Sequence, residues 1–284
     1  MKDKHDKYLS YPILLWMGVL VFIPLLMVII LSFLSRDSLG NIQFSFTLDN
    51  YRKVLSPTYM KVFWNSFKLA ILTAIISIIL AYPVAYFTAR LDKKWKRVSL
   101  VLVMIPFWTS SLMRTYGWVI LLGNSGIINT VLLNLGIIQT PIQMMYKFST
   151  VLIGTVYMLI PFMIISIFNS VDKLDQSLLE ASYDLGAGKV KTFINVTLPL
   201  TLSGVLRGFT LVFIPALGLY FVSDLLGGGQ TIYLANLINN QVTKGRNRPQ
   251  AAALAIGMIL LVAIVLLGYN HLNKRWQGVS ADEK

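Results

Sequence analysis

The sequence has no cysteine and only two histidines, His5 and His271, both close to its ends. Without cysteine the chain forms no disulfide, thiolate metal site or cysteine nucleophile. An integral-membrane enzyme needs a nucleophile–base pair or a cluster of metal ligands, and 12 acidic residues with two terminal histidines supply neither pattern. We therefore expect no enzymatic activity, no bound metal and no cofactor.

Charged residues are also scarce: they make up 13% of the 284 residues, whereas 56% are hydrophobic. A soluble domain carries about 25% charged residues, so this composition is typical of a membrane protein. The net charge of +13 has a topological explanation, because basic residues collect on cytoplasmic loops. No basic stretch with interleaved aromatic residues is long enough for a nucleic-acid module. The bilayer, and not nucleic acid, is the expected partner.

Long apolar runs dominate the rest of the chain. A membrane-spanning helix needs about 20 apolar residues, and six segments meet this length: 12–34, 63–89, 98–122, 150–169, 200–222 and 251–272. The first is too long for a signal-peptide core and is interpreted as a retained anchor. A proline in each of the first five spans is compatible with ordinary packing or with helices that bend. The sequence therefore predicts an all-α membrane protein with a single transmembrane domain over residues 1–284.

The distribution of lysine and arginine predicts the orientation of these spans. The two terminal segments and the links 90–97 and 170–199 together carry 14 basic residues. The other three links, 35–62, 123–149 and 223–250, together carry eight. Because cytoplasmic loops carry the excess of basic residues, both termini and these two links are expected in the cytoplasm.

The cytoplasmic insert 171–199 has the pattern of two helices joined by a glycine turn. Residues 173–185 carry an apolar and a polar stripe at helical spacing. These stripes consist of Leu174, Leu178, Ala181 and Leu185, and of Lys173, Ser177, Glu180 and Asp184. Gly186 predicts a C-terminal stop, a second short helix fits 187–198, and Pro199 marks the entry to the next span. The insert is expected either to cover its own bundle or to form an interface with another protein.

The middle of this insert, GAGKV, is close to a phosphate-binding loop but lacks its defining residues. Such a loop reads G-x-x-x-x-G-K-[ST] and follows a strand. Here Tyr183 takes the position of the first glycine, Val190 takes that of Ser or Thr, and a predicted helix precedes the loop. We therefore expect no ATP binding by this chain.

The stretch from Glu180 to Pro199 resembles the signature of the EAA family, the permeases of ABC importers. That signature reads E-A-A-x-x-x-G, followed by nine residues and I-x-L-P. The matching residues are Glu180, Ala181, Gly186, Leu198 and Pro199. Ser182 and Val196 depart from it, replacing Ala and Ile. The segments 48–51, 105–118 and 215–228 are similar to spermidine/putrescine importer permeases.

This resemblance implies a type I ABC-importer permease of the bacterial inner membrane. Its partners are then a second, related permease in a heterodimer, two cytosolic ATPase subunits that hydrolyse ATP, and an external solute-binding protein. The EAA region is implied to be the coupling element that docks on the ATPase, with Glu180 for polar contact and Gly186 for the turn. The full set of coupling candidates is Glu180, Ala181, Asp184, Gly186, Leu198 and Pro199.

Ionisable residues within spans are candidates for the substrate path, because they are costly in a membrane. Lys68 and Arg207 lie near span ends and are interpreted as snorkelling cations, whereas Arg114 lies deeper. A polyamine needs carboxylates for its ammonium groups and aromatic faces for its methylene stem. Asp224 with Trp108, Tyr116 and Tyr220 would meet this need. Alternatively, Asp224 caps a helix or pairs with Arg114, and the aromatic residues form an interfacial belt.

Two alternatives to a polyamine importer remain at this point. The first is an ABC importer for another small solute, such as an amino-acid derivative or a metal chelate. The second is a self-contained, ion-driven carrier, a class that buries carboxylates or histidines in its spans. The interiors of the predicted spans contain neither residue type, since His5 and His271 lie at the ends, which argues against the carrier.

Overall fold

The computed structural model describes the backbone of residues 2–37 and 40–281 and the side chains of residues 15–37 and 40–269. The terminal basic residues that support the predicted orientation lie outside the described side chains. A short hairpin pairs β1 (Leu34–Arg36) with β2 (Ile42–Phe46) in antiparallel fashion. The α-helices are α1 (Lys2–Ser32), α2 (Asp49–Val54), α3 (Pro57–Ala89), α4 (Lys93–Met104), α5 (Ser111–Leu122), α6 (Ile127–Asn134), α7 (Phe148–Val171), α8 (Gln176–Asp184), α9 (Lys189–Thr192), α10 (Leu198–Gly218), α11 (Tyr220–Gly227), α12 (Leu234–Thr243) and α13 (Arg248–Ala281).

Within the described residues, six segments are long and apolar enough to cross a membrane, as the sequence predicts. A helix satisfies its backbone hydrogen bonds internally, which the hydrocarbon core requires. The segments are Leu15–Ser32, Pro57–Ala89, Ser111–Asn134, Phe148–Val171, Lys189–Gly218 and Arg248–Tyr269.

The prediction of one continuous helix over 98–122 is wrong. α4 ends at Met104, a 3₁₀ turn covers Ile105–Trp108, and α5 begins at Ser111. Pro106 lacks an amide donor and its ring disfavours a regular helix. The next residues complete the break, since Thr109 is extended and its hydroxyl donates to the carbonyl of Pro106 at 2.8 Å.

Proline alone does not interrupt the other predicted spans. Pro83, Pro161 and Pro215 lie inside α3, α7 and α10, which continue past them. The predicted span 200–222 ends earlier for a different reason: Leu219 leaves the helical conformation with ψ of 67°. The residues after it therefore form a separate helix, α11.

The chain divides into two compact units. The larger comprises Trp64–Asn236 and Ile264–Lys284, and α7 and α10 form its core. Gly204 allows their close approach, because a Cβ there would lie 2.3 Å from Ser170 Oγ and 2.9 Å from the carbonyl oxygen of Ser166. Ser166 Oγ in turn donates to the carbonyl of Gly204 at 2.9 Å. Lipid provides no hydrophobic driving force between helices, and small residues stabilise such contacts because they allow close van der Waals packing.

The other unit comprises Met1–Phe63 and Leu237–Ala263. Its centre is Asn50 in α2, whose amide donates to the carbonyls of Ser32 and Leu34 at 3.0 and 2.8 Å. The carbonyl of Asn50 accepts from Gln250 Nε2 at 3.2 Å. These bonds join the end of α1, the hairpin and α13 within this unit.

Candidate functional site

The coupling insert begins with a capped helix. α8 follows Asp175, whose carboxylate accepts a hydrogen bond from the backbone N–H of Ser177 at 3.0 Å. Such a cap satisfies one of the unpaired amides of a first helical turn. The hydrogen bonds from Ser177 favour the charged carboxylate and lower the pKa of Asp175 from its ordinary value. The helix therefore starts at Gln176 and not at residue 173.

The predicted apolar stripe of α8 faces away from this chain. Leu178 is 45% exposed and Leu185 is 89% exposed, whereas the buried residue is Leu179. Next to Leu179 on the covered side, the hydroxyl of Ser182 lies 2.9 Å from that of Thr192. Ser182, which departs from the EAA signature, thus joins the two arms of the insert from inside and leaves the outward face unchanged.

α8 ends at the glycine that the sequence indicates. Gly186 has φ of +80°, a conformation that costs glycine little. Its N–H donates to the carbonyl of Tyr183 at 2.9 Å, and the N–H of Ala187 donates to that of Ser182 at 3.1 Å. This pair of bonds is a Schellman motif, so Gly186 sets the direction in which the second arm leaves.

Most of the coupling candidates lie on the open side of the insert. Glu180, Ala181, Asp184 and Gly186 are exposed, and Leu198 and Pro199 are half-buried at the start of α10. Large apolar side chains accompany them, and we call these residues the hairpin face: Leu178, Tyr183, Leu185, Val190 and Ile194, all at least 43% exposed. Exposed apolar groups with a polar rim mark interaction surfaces.

The second arm is not the separate short helix expected over 187–198. α9, a π-helical turn at Phe193–Thr197 and α10 follow one another without interruption. Pro199 lies just after this wide turn. In a regular helix its missing N–H would leave the carbonyl of Asn195 unpaired, and π turns accommodate such irregularities. The arm and the membrane helix therefore form one continuous segment.

Two contacts that the sequence does not indicate tie the insert to neighbouring helices. The ring of Phe193 lies edge-on to those of Tyr82 and Tyr86 in α3, at 5.3 and 6.1 Å between centroids. At the other arm, Lys96 Nζ in α4 lies 2.5 Å from Asp172 Oδ1, directly after α7. These contacts couple the position of the insert to α3 and α4 as well as to α10.

The candidate substrate residues lie on α5, on α11, which packs against α5, and on the 3₁₀ turn that precedes α5. Arg114 and Tyr116 belong to α5, and Tyr220 and Asp224 belong to α11. Trp108 lies in the 3₁₀ turn that precedes α5 and is 77% exposed. The rings of Tyr116 and Tyr220 are also exposed, so all three aromatic residues are open to a ligand or to another chain.

Asp224 is exposed in the last turn of α11, which Gly228 ends in a left-handed conformation. A helix C-terminus disfavours a negative side chain, and the cap hydrogen bond from Gly228 goes to the backbone carbonyl of Asp224. Across the described ranges, the ion pairs present do not involve Asp224. Neither alternative role, helix cap or partner of Arg114, is therefore observed in this structure.

The position of Tyr220 depends on a residue that sequence reasoning missed. Asn236 Nδ2 in α12 donates to the carbonyl of Tyr220 at 3.1 Å, and its side-chain oxygen accepts from the hydroxyl of Ser223. These bonds fix the first turn of α11. No periodicity in the sequence connects residues 13 or more positions apart in this way.

Chemically, this region can bind a cation but has no catalytic arrangement. It offers one carboxylate and several aromatic faces, which attract cations. In the part of the chain that the structure describes, no three His, Asp or Glu residues come together as a metal site.

Comparison with known families gives one match over most of the chain. The family described as "Binding-protein-dependent transport system inner membrane component" matches residues 75–278. The matched range includes the coupling insert and both helices of the candidate substrate region. It therefore covers every residue proposed for a site.

Curated relatives extend the match to nearly the whole sequence. The chain is 42% identical to the spermidine/putrescine transport system permease protein PotB of Salmonella typhimurium (strain SL1344), over 98% of each chain. It is 43% identical to PotB of Escherichia coli (strain K12), over 89% of this chain and 92% of that one. Among solved structures, a bacterial alginate ABC transporter in complex with an alginate-bound periplasmic protein superposes with a TM-score of 0.77 at 16% identity, over 96% of each chain. The last likeness concerns the fold alone.

Proposed function

Since this chain belongs to the family of binding-protein-dependent transport system inner membrane components, we propose that it forms half of the membrane path of an ATP-driven polyamine importer. It is a multi-pass protein of the bacterial inner membrane and a transport subunit, not an enzyme. The observation that carries the substrate class is the 42% identity to a spermidine/putrescine permease over 98% of both chains.

The candidate substrate region supports a polyamine as the ligand. Asp224 is exposed and unpaired among the described residues, so its carboxylate is available to an ammonium group. Trp108, Tyr116 and Tyr220 offer exposed rings that attract cations and cover a methylene stem. One carboxylate does not neutralise a multivalent cation, so a second, related permease supplies the others.

The insert is proposed to receive the motion of a cytosolic ATPase. Its hairpin face is apolar and exposed, and its rim carries Glu180 and Asp184. The closed ATPase pair is proposed to bind the hairpin face more tightly in one conformation of the permease than in the other. Closure of the pair therefore shifts the permease between its two states. The continuous arm from Lys189 to Gly218 carries that displacement directly into a membrane helix.

The complete importer is proposed to contain two related permeases, two ATPase subunits and an external solute-binding protein. The description of the family as binding-protein-dependent supports a binding-protein partner here. The alginate transporter, with which this chain shares its fold, was solved with its periplasmic protein. A self-contained carrier is disfavoured, because the six membrane-length segments of the described chain hold no Asp, Glu or His.

Transport by the purified complex in proteoliposomes tests the substrate class. Labelled spermidine is taken up in an ATP-dependent way, and unlabelled putrescine competes. We expect Asp224→Asn to raise KM about tenfold or more, because a charged hydrogen bond contributes about 1.5–3 kcal/mol, and to leave assembly intact.

The matched control is Asp49→Asn, another exposed acid that is held by Arg52 at 3.8 Å outside the candidate site. Equal kinetics for both variants remove Asp224 from the substrate site. Uptake of an amino-acid derivative or metal chelate in place of spermidine contradicts the polyamine assignment itself.

A further inference from the structure

A polar cavity of about 170 Å³ lies at the base of the coupling insert. Its walls come from the end of α3, the start of α4, the end of α7 and the covered side of α8, all within the larger unit. This volume is more than ten times the roughly 10–15 Å³ that one water molecule requires. The charged and amide side chains of its lining are those of Arg90, Lys96, Asp172 and Gln176. The cavity therefore has room for a small polar group.

Two cations of this lining face a single carboxylate. Lys96 Nζ lies 2.5 Å from Asp172 Oδ1, so these two charges neutralise each other. Arg90 is exposed, and its guanidinium carbon lies 3.9 Å from the ring centroid of Tyr86. The ion pairs found among the described residues do not include Arg90. Stacking on a ring covers the face of a guanidinium and leaves its N–H edge open. Arg90 thus presents an unpaired charge with directional donors at the cavity.

The surroundings of the cavity are basic as well. Residues 90–97 and 171–176 together carry six basic and three acidic side chains. Arginine binds phosphate through two parallel N–H bonds, and lysine binds it as a point charge. A cluster of four to eight Lys and Arg residues directly after a membrane helix is typical of a site for anionic lipid headgroups. The ligand that suits this chemistry is a phosphate, whereas a polyamine is repelled because it is a cation.

The ends of the membrane helices place the cavity at the membrane surface. The membrane-length segments of α3 and α7 end at Ala89 and Val171. α4 begins at the same level, because Lys96 in its first turn contacts Asp172 directly after α7. The headgroups of a bilayer lie next to the ends of its hydrocarbon core. A lipid phosphate is therefore present at the depth of this cavity.

An apolar stripe along α4 is suited to the remainder of a lipid. Trp95, Val98 and Leu102 follow one another at helical spacing, and all three side chains are exposed. No residue of α4 is buried within this chain. Tryptophan is enriched at membrane surfaces, and the two aliphatic residues lie deeper, beside the hydrocarbon. A lipid with its headgroup in the cavity finds an apolar surface for its acyl chains.

An acid of the ATPase is a less suitable occupant than a lipid. The cavity is lined by Leu179, which lies on the covered side of α8. The hairpin face, through which the ATPase is proposed to bind, carries Leu178 and Leu185 on the exposed side of the insert. An ATPase docked there therefore contacts a different side of α8 from the one that lines the cavity.

We propose that this cavity binds the phosphate group of an anionic membrane lipid. Arg90 donates two hydrogen bonds from its N–H edge, and Lys96 supplies a second positive charge. The phosphate competes with Asp172 for Lys96, so this acid weakens the binding. A bound headgroup contacts the membrane helices and the coupling insert together, because all of them line the cavity. The site depends neither on the transported substrate nor on a second subunit.

Native mass spectrometry of the full chain in detergent, titrated with a phosphatidylglycerol, tests the site. Arg90→Gln is expected to weaken binding of the lipid about tenfold or more, because a charged hydrogen bond is lost. Asp172→Asn is expected to strengthen binding, because Lys96 becomes available to the phosphate. Misfolding does not raise an affinity, so the opposite signs of these two effects report on the site itself.

Arg97→Gln and Asp92→Asn are the matched controls. They make the same changes of charge at exposed residues of the same basic segment, outside the lining of the cavity. Each is expected to change the affinity by about threefold or less, as exposed charges do. Equal affinities for the Arg90 and Arg97 variants, or no gain from Asp172→Asn, overturn the site.

The nature of the ligand is tested in three further comparisons. Phosphatidylcholine that binds as tightly as phosphatidylglycerol contradicts an anionic ligand. Displacement of the lipid by inorganic phosphate at equal concentration replaces the lipid by a free phosphate. Loss of the ATPase from the purified complex of the Arg90→Gln variant, with lipid binding unchanged, assigns the cavity to the ATPase. We expect weak binding of phosphatidylcholine, no displacement and a retained ATPase.

Discussion

The α7–α10 pair and the coupling insert, both in the larger unit, use apolar side chains in opposite ways. In α7, two thirds of the membrane-length window is buried inside the chain, 67%, and Gly204 brings α10 close to it. In the insert, Leu178 and Leu185 are exposed while their neighbour Leu179 is covered. The first arrangement stabilises this chain, whereas the second is available to a partner. Hydrophobicity therefore has a different consequence in each region.

The largest expected effect comes from closing the space between α7 and α10. Gly204→Ala places a methyl group 2.3 Å from Ser170 Oγ and 2.9 Å from a backbone oxygen, which has no room to move aside. We expect the free energy of unfolding to fall by about 1–3 kcal/mol, as for other overpacked cores. Thermal denaturation in detergent measures it.

The control for this substitution lies in the insert. Nothing lies within 4 Å of a Cβ built on Gly188, so Gly188→Ala costs at most about 1 kcal/mol through its role as a helix cap. Equal destabilisation by both alanines would remove the distinction between a packed and an open region.

The next effect is on coupling without any effect on folding. We expect Leu185→Ser and Glu180→Ala each to reduce ATP-driven uptake about tenfold, as truncation of an important interface residue does. Both side chains are exposed, so the free energy of unfolding changes by no more than about 0.5 kcal/mol. Uptake and melting are measured on the same preparation.

Leu135→Ser provides the comparison for Leu185→Ser, since Leu135 is 67% exposed but lies outside the insert. It is expected to leave both uptake and melting unchanged. Normal uptake by the Leu185 and Glu180 variants would show that the hairpin face does not engage the ATPase.

The smallest effect is local and depends on pH. Hydrogen bonds from Ser177 lower the pKa of Asp175 in the folded state. The charged cap therefore stabilises the start of α8 at pH values above the ordinary pKa of 3.8. This stabilisation is lost as the pH falls through the lower pKa of the folded state. Hydrogen exchange of the first amides of α8 is expected to accelerate in this acidic range, and Asp175→Ala abolishes the pH dependence. An unchanged profile in that variant would exclude Asp175 as the cap.

The amount of structure predictable from the sequence differed between elements for identifiable reasons. The number of membrane-length segments follows from the apolar runs, although the third lies at Ser111–Asn134 in place of the predicted 98–122. Gly186 predicts the end of α8 because few residues adopt its φ of +80°. The break between α4 and α5 was not predicted, because a proline alone does not end a helix in this chain: Pro83 and Pro161 remain inside α3 and α7. At Pro106 the helix is broken because Thr109, three residues later, is extended.

For the candidate sites, residue types were easier to predict than their partners. Helical spacing placed Glu180 and Asp184 on one stripe and Gly186 at the turn, and the resemblance to the EAA signature implied their coupling role. The contacts of Phe193 with Tyr82, the bond between Ser182 and Thr192, and the role of Asn236 join residues that no local period relates.

By itself, the sequence determined that this protein lies in a membrane, because its scarcity of charge and its apolar runs leave few other environments. It also determined where the EAA hairpin turns, since a glycine conformation is a local property. Only the tertiary structure decided which leucine of α8 is covered and which is presented, and that the guanidinium of Arg114 lies over the ring of Phe107 while that of Arg207 donates to Ser203 and Ser170. Burial and pairing depend on which other helices lie nearby, and that is a property of packing in three dimensions.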